Sequence, residues 1–232
     1  MIAINRRTAP SYNEEPNVAR MMDDIRAVAP DAEILVVDSS SDRTPEIARE
    51  KGATVLRQLP PQGHGPAMEL LMTEASRRTD ALIYLDCDFT YPVEHIATIR
   101  RLLDEGADVV NGSRTRSRPD AMPRSHFVAN RLFAAAVRLV NGVPTTDVHS
   151  GMRGYRSSVI RAFAFDGSGD ALPLDTLILP ARSGYRVVEY PIPYAKRGGV
   201  SKLARFRGTA WTFIRIARCL GEGHAPSRYE LR

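Results

Sequence analysis

The 232-residue chain has only two cysteines, Cys87 and Cys219. They are too few for a disulfide framework and lack metal-ligand spacing, which points to a reducing, cytoplasmic setting. No apolar run approaches the ~18–20 residues of a transmembrane helix. The opening MIAINRRT has no apolar h-region, so no secretory leader is expected. Lysine is scarce as well. Of 32 basic residues only Lys51, Lys196 and Lys202 are lysines, so the net charge of +5 is carried almost wholly by arginine. Arginine grips phosphate and carboxylate bidentately, and a basic balance suggests phosphate-bearing partners. Nucleic acid is not the expected one, because the basic residues are scattered and no aromatic-rich module interleaves them. A hydrophobic content of 43% with 25% charged residues excludes disorder and fibrous repeats.

What is present alternates between strand-like and helix-like segments, with no internal repeat, low-complexity tract or Gly/Ser-rich linker. Glu33–Val37, Ala81–Leu85 and Asp108–Gly112 are short apolar runs without alternation. Such runs suit a sheet buried on both faces, usually a parallel one. Between them Glu14–Val28 carries Val18, Met21, Met22 and Ile25 at helical spacing. Thr44 is the expected N-cap of a second helix, with Pro45 at its first position. Further helices are expected over Pro66–Arg77, Pro92–Leu103 and His126–Val140, the last ending in a turn at Asn141-Gly142. Thr115–Ser125 reads as a mobile loop, Gly184–Tyr194 as a strand, and Ser201–Leu220 as an arginine-rich amphipathic helix. Strand–helix alternation of this kind gives an α/β fold.

Several segments carry chemistry-bearing residues. Asp86-Cys87-Asp88 directly follows an apolar strand, and in open α/β sheets ligands bind beyond the strands' carboxyl ends. Two carboxylates there can hold a hard divalent cation that neutralises substrate phosphates; alternatively Asp88 caps the turn into the helix at Pro92. Asp38 ends another strand and opens Asp38-Ser39-Ser40-Ser41-Asp42-Arg43-Thr44, where it can accept from a ribose or a base edge, whereas the last residues read as turn and cap. Tyr12, in Pro10-Ser11-Tyr12-Asn13-Glu14-Glu15, can stack beneath a base. Gln62-Gly63-His64-Gly65-Pro66-Ala67 leads into a helix start that favours phosphate. Lys196 to Lys202 sets three cations around two glycines, which suits a loop closing over a diphosphate or a solvated charge run.

Taken in order, PSYNEE, VVDSSSDRT, QGHGPAM, DCDFTYPVEHI, NGSR, DVHSGMRGYR, GYRVVEYPI and RGGVSK resemble the GT-A-fold glycosyltransferases of family 2. The branch they resemble is that of dolichyl-phosphate mannose synthases and other polyprenyl-phosphate glycosyltransferases. The likeness runs from about Pro10 to Leu203. It implies a mostly parallel central sheet flanked by helices over 1–203, followed by a C-terminal amphipathic helix and tail over 204–232. It also implies roles for residues. Pro10, Tyr12, Glu14 and Asp38 match nucleotide-binding positions. Asp86 and Asp88 match the metal and diphosphate motif, normally served by Mg2+ or Mn2+. Arg114 and Arg131 match arginines that hold an acceptor phosphate, Asp175 sits where an acidic residue faces the site, and Arg197, Ser201 and Lys202 match the closing loop. The chain departs from the family pattern at Val37, where an aspartate is usual, at Thr90 for Gln, His149 for Thr and Met152 for Phe. Asn5, Arg6 and Arg7 also interrupt the first strand.

The resemblance implies inverting, metal-dependent transfer of a sugar from a nucleotide diphosphate sugar, GDP-mannose or a UDP-sugar, to a polyprenyl or dolichyl phosphate acceptor. The metal on Asp86 and Asp88, with Arg197 and Lys202, would stabilise the departing nucleoside diphosphate, at roughly 3–4 kcal/mol per well-placed donor. A phosphate acceptor needs no general base and would be aligned by Arg114 and Arg131. A hydroxyl acceptor needs one, and Asp147 is the candidate. The alternatives are a soluble transferase acting on a small-molecule hydroxyl and a non-catalytic nucleotide-sugar-binding subunit. The C-terminal helix, with Trp211, Phe213, Ile214 and Ile216 among arginines, is expected to meet an anionic membrane surface or a membrane-protein partner at the cytoplasmic face.

Overall fold

A computed structural model describes residues 1–5, 15–87, 89–116, 121–169, 171–195, 205–221 and 228–232. Of the expected site residues, Pro10, Tyr12, Glu14, Asp88, Arg197, Ser201 and Lys202 lie outside them. The chain runs β1 (Ile2–Asn5), α1 (Glu15–Val28), β2 (Ile34–Asp38), α2 (Thr44–Glu50), β3 (Thr54–Arg57), α3 (His64–Arg78), β4 (Ala81–Asp86), α4 (His95–Asp104) and β5 (Val109–Ser113). It continues through α5 (Arg124–Asn141), β6 (Met152–Arg156), α6 (Ser157–Ala162), α7 (Leu172–Arg182), β7 (Arg186–Pro191), α8 (Arg205–Arg218) and β8 (Arg228–Leu231).

The strands form one sheet in the order β3-β2-β1-β4-β6-β5-β7-β8, in which β6 alone runs antiparallel to its neighbours. Helices cover both faces. Leu35 and Val37 of β2 point to one face, beneath α3 and α7, while Ile34 and Val36 point to the other, beneath α1 and α4. Burial on both faces explains why these strands read as continuous apolar runs. In α1, Val18, Met21, Met22 and Ile25 are all buried, as their spacing requires.

Differences from the sequence reading have local causes. Helix α2 begins at Thr44 rather than after it, with Arg43 at the N-cap position, and Asp42 Oδ1 accepts the Thr44 N–H at 3.0 Å. Helix α5 ends as expected: Gly142 adopts φ +71° and donates to the Arg138 carbonyl, a conformation that favours glycine. Helix α7 was not expected at all. It is buried all round and contains Pro173 and Pro180, so it shows neither a polar face nor uninterrupted helix formers.

Residues 205–221 and 228–232 are built into this architecture. Strand β8 pairs with β7, and α8 packs on α5 and α7. The apolar residues of α8 divide between two faces: Ile216 is 3% exposed within the core that holds Leu177, while Phe213 is 52% exposed. The expected single membrane-facing side of this helix is therefore partly a packing surface. Ile216→Ala is expected to cost about 2–4 kcal/mol in urea denaturation, against under about 0.5 kcal/mol for Phe213→Ala.

Candidate active site

The strand order reverses around β1, whose register sets Asn5 beside Val37 of β2 and Asp86 of β4. This is the switch point at which a crevice opens beyond the carboxyl ends. Asp38 and Asp86 end the two strands that flank β1 there. The Asp38 carboxylate organises its own loop: Oδ1 accepts from Ser40 Oγ at 2.6 Å, and Oδ2 accepts from Ser40 N and from Arg57 Nη1 of β3.

Asp86 is buried, and Tyr84 donates its hydroxyl to Oδ1 at 2.7 Å. The Asp86 N–H donates to the Gly151 carbonyl at 2.9 Å, which lays the start of β6 against the end of β4. This approach needs glycine, because a Cβ on Gly151 would stand 2.1 Å from Asp86 Oδ2. The Gly151 N–H in turn donates to the Tyr91 hydroxyl at 2.6 Å. Between Asp86 and Tyr91 the chain turns at Phe89, whose φ of 59° is a conformation costing on the order of 1 kcal/mol for a bulky residue. Asp86 supplies a hard oxygen donor of the kind Mg2+ and Mn2+ prefer.

The other side of the crevice is built around an ion pair. Arg114, just past β5, donates from Nε to Asp147 Oδ2 at 2.7 Å and from Nη2 to Oδ1 at 2.8 Å, and its backbone N–H adds a third bond to Oδ2. Asp147 is 0% exposed and Arg114 9%. The rings of Tyr91 and Tyr194 each lie 5.7 Å from the Arg114 guanidinium carbon, so the cation rests against two aromatic faces. Burial alone would raise the Asp147 pKa, but the Arg114 charge and hydrogen bonds outweigh it and hold the carboxyl below its ordinary 3.8. Burial would likewise lower Arg114, yet Asp147 drives it well above its ordinary value. Burial also pushes the Tyr91 phenol well above 10, against the pull of Arg114, so it stays protonated.

Beneath this pair lies a second buried layer. Arg153 of β6 donates from Nε to Asn111 Oδ1 at 2.7 Å, from Nη2 to the Val148 carbonyl at 2.9 Å, and from Nη1 to the Pro173 carbonyl. Asn111 Nδ2 donates to the Asp147 carbonyl and to Glu189 Oε2. Glu189 also accepts from Thr145, Thr146 and Tyr229, which fixes the turn before Asp147.

The sequence profile of Glycosyl transferase family 2 matches residues 9–163. The chain belongs to glycosyltransferase family 2. It is 38% identical over 201 residues to a dolichyl-phosphate hexose transferase of Haloferax volcanii, covering 86% of each chain. It is 30% identical over 210 residues to an undecaprenyl-phosphate mannosyltransferase of Micrococcus luteus, covering 84% of this chain and 85% of that one. The fold matches glucosyl-3-phosphoglycerate synthase of Mycobacterium tuberculosis with a TM-score of 0.70 at 20% identity, over 97% of this chain and 80% of that one. The fold is thus GT-A, and the chain is a glycosyltransferase enzyme.

Of the expected site residues, the structure brings Asp86, Arg114 and Asp147 to one edge of this glycosyltransferase, with Asp38 across β1. Arg131 stands exposed on α5. Two expectations need correction. Asp147 is unsuited to act as a base, because it has no exposure and both of its oxygens hold Arg114. Asp175 does not face the crevice; it is buried on α7 and paired with Arg215 of α8. Tyr91, Tyr194, Asn111 and Glu189 were not singled out individually. Three of the four stand inside the quoted motifs, Tyr91 two residues beyond Phe89, but a residue's partner cannot be read from its own motif.

Gly151→Ala is expected to displace Asp86 and to lower stability in urea denaturation by about 1–3 kcal/mol through overpacking, with an unchanged circular dichroism spectrum. The pH dependence has a definite sign. Because the folded Asp147 pKa is depressed, its stabilisation is complete above the unfolded value of 3.8 and is lost as pH falls through the folded value. Denaturation midpoints measured across this acid range should fall more steeply for the native chain than for Asp147→Asn.

Proposed function

We propose that this enzyme transfers a hexose from a nucleoside diphosphate sugar to a polyprenyl phosphate, with inversion at the anomeric carbon. The carrying observation is the Asp147–Arg114 pair. The carboxylate expected to serve as base on this wall of the crevice is instead buried against the Arg114 guanidinium, which supports an acceptor that needs no base from this residue. Such a wall suits an acceptor that arrives already ionised. The likeness to a dolichyl-phosphate hexose transferase and an undecaprenyl-phosphate mannosyltransferase supports the same acceptor class.

In this reading an acceptor phosphate oxygen attacks the anomeric carbon as the bond to the nucleoside diphosphate breaks, and the leaving oxygen takes the electron pair. Arg114 aligns the acceptor; Asp147 is a positioning residue that fixes the guanidinium's plane, while Nη1 is left over from that pairing. Arg131 is assigned to the acceptor's approach, and Pro10, Tyr12, Glu14 and Asp38 to the nucleoside. Arg197, Ser201 and Lys202 are assigned to the diphosphate. Asp86 and Asp88 are the residues that would hold a divalent cation, magnesium or manganese, which supplies charge neutralisation at the departing diphosphate. No helix among the described residues is long and apolar enough to cross a membrane; the polyprenyl phosphate of this reading is assigned to the cytoplasmic face of the bilayer.

The test offers polyprenyl phosphate and the corresponding polyprenol to the enzyme with GDP- and UDP-sugars. Transfer is expected to the phosphate alone. Its kcat/KM should rise with pH through about 6, as the monoester loses its second proton, and then stay flat. Transfer to the alcohol at a comparable rate would contradict the reading.

A further inference from the structure

Nine large apolar side chains are exposed among the described residues, and seven of them lie on α5, α8 and the short turn that follows α8. On α5, Val128, Leu132 and Leu139 fall with Ala135 at i, i+4, i+7 and i+11, which makes one continuous stripe of ~16 Å at 1.5 Å per residue. Leu132 is 64% exposed and Leu139 87%. Phe213 of α8 extends the stripe sideways, its ring 5.6 Å from that of Phe133. Arg124, Arg131 and Arg138 recur every seven residues and follow one border of the stripe. Neither α5 nor α8 contains a single acidic residue.

We infer that this α5–α8 face docks on an anionic lipid bilayer, with the stripe entering the headgroup boundary and the arginine border meeting lipid phosphates. An apolar stripe edged by arginine is the pattern of a helix lying in a membrane interface. A contiguous apolar patch of this kind also exceeds what scattered surface residues produce. Charge decides among occupants. A second copy of the chain would set arginine against arginine, because neither helix offers a carboxylate. The face differs from the one expected from sequence, since the buried side of α8, with Ile216, serves the core. The inference rests on the lipid-acceptor reading for its biological sense, but its test does not depend on that chemistry.

Flotation of the whole chain with phosphatidylcholine vesicles, with and without phosphatidylglycerol, provides that test. No polyprenyl phosphate and no donor is present. The native chain should float with the anionic vesicles, less so as salt is raised. Leu132→Asp/Leu139→Asp should float roughly tenfold less, and Arg124→Glu/Arg138→Glu should lose the preference for anionic vesicles. Both variants change exposed side chains and should melt with the native chain. Equal flotation of native and stripe variants, or none by the native chain, would overturn the inference. So would light scattering that showed a native dimer split by the stripe variant without vesicle binding. A chain that floats as described yet transfers no sugar would count against the proposed function and leave the docking face supported.

Discussion

Arg153 has no exposed surface, and its guanidinium is the fixture to which the Asp147–Arg114 side of the site is attached. It reaches Asn111 of β5, the Val148 carbonyl in the loop before β6, and the Pro173 carbonyl at the start of α7. Three segments distant in sequence are thereby held to one rigid group. A buried charge is tolerable only when its donors are satisfied, and removing its partners costs several kcal/mol. Here Asn111 stands between the cation and the Glu189 carboxylate, accepting from the guanidinium and donating to the carboxylate. The charges balance across an amide, and the same amide grips the Asp147 carbonyl.

That layer explains how a second ion pair can stand at the rim. Asp147 can hold Arg114 flat because its own backbone is fixed by Asn111 and by the Thr145–Thr146 turn on Glu189. Tyr91 then connects the two halves of the crevice. Its hydroxyl accepts from Gly151, whose carbonyl holds Asp86, while its ring faces Arg114. The Asp86 side and the Arg114 side thus share one short chain of contacts.

Much of this was legible in the sequence. Short apolar strands ending in Asp38 and Asp86 mark the carboxyl edge of a doubly covered sheet, and the ordered motifs name the family. The pairing of Arg114 with Asp147 was not legible, since the two are 33 residues apart and each alone suits a direct role in chemistry. Strand β6 escaped notice because Met152-Arg153-Gly154-Tyr155-Arg156 has no strand pattern; its arginine is buried by hydrogen bonds and not by hydrophobicity. Helix α7 escaped because a helix buried on every side has no amphipathic period. In α8, apolar residues that serve the core and apolar residues that face outward occupy one stretch, and only packing separates Ile216 from Phe213.

The central claim is that the site holds a guanidinium for an ionised acceptor where a base would otherwise stand. Steady-state kinetics of the Arg114→Ala/Asp147→Asn double variant test it most directly, because removing both partners leaves no unpaired buried charge. The account predicts that the KM for polyprenyl phosphate rises about tenfold or more, consistent with loss of a charge-assisted contact, while the donor KM holds. Added guanidinium should restore part of the loss. An unchanged acceptor KM with a weakened donor, or activity indifferent to guanidinium, would contradict it.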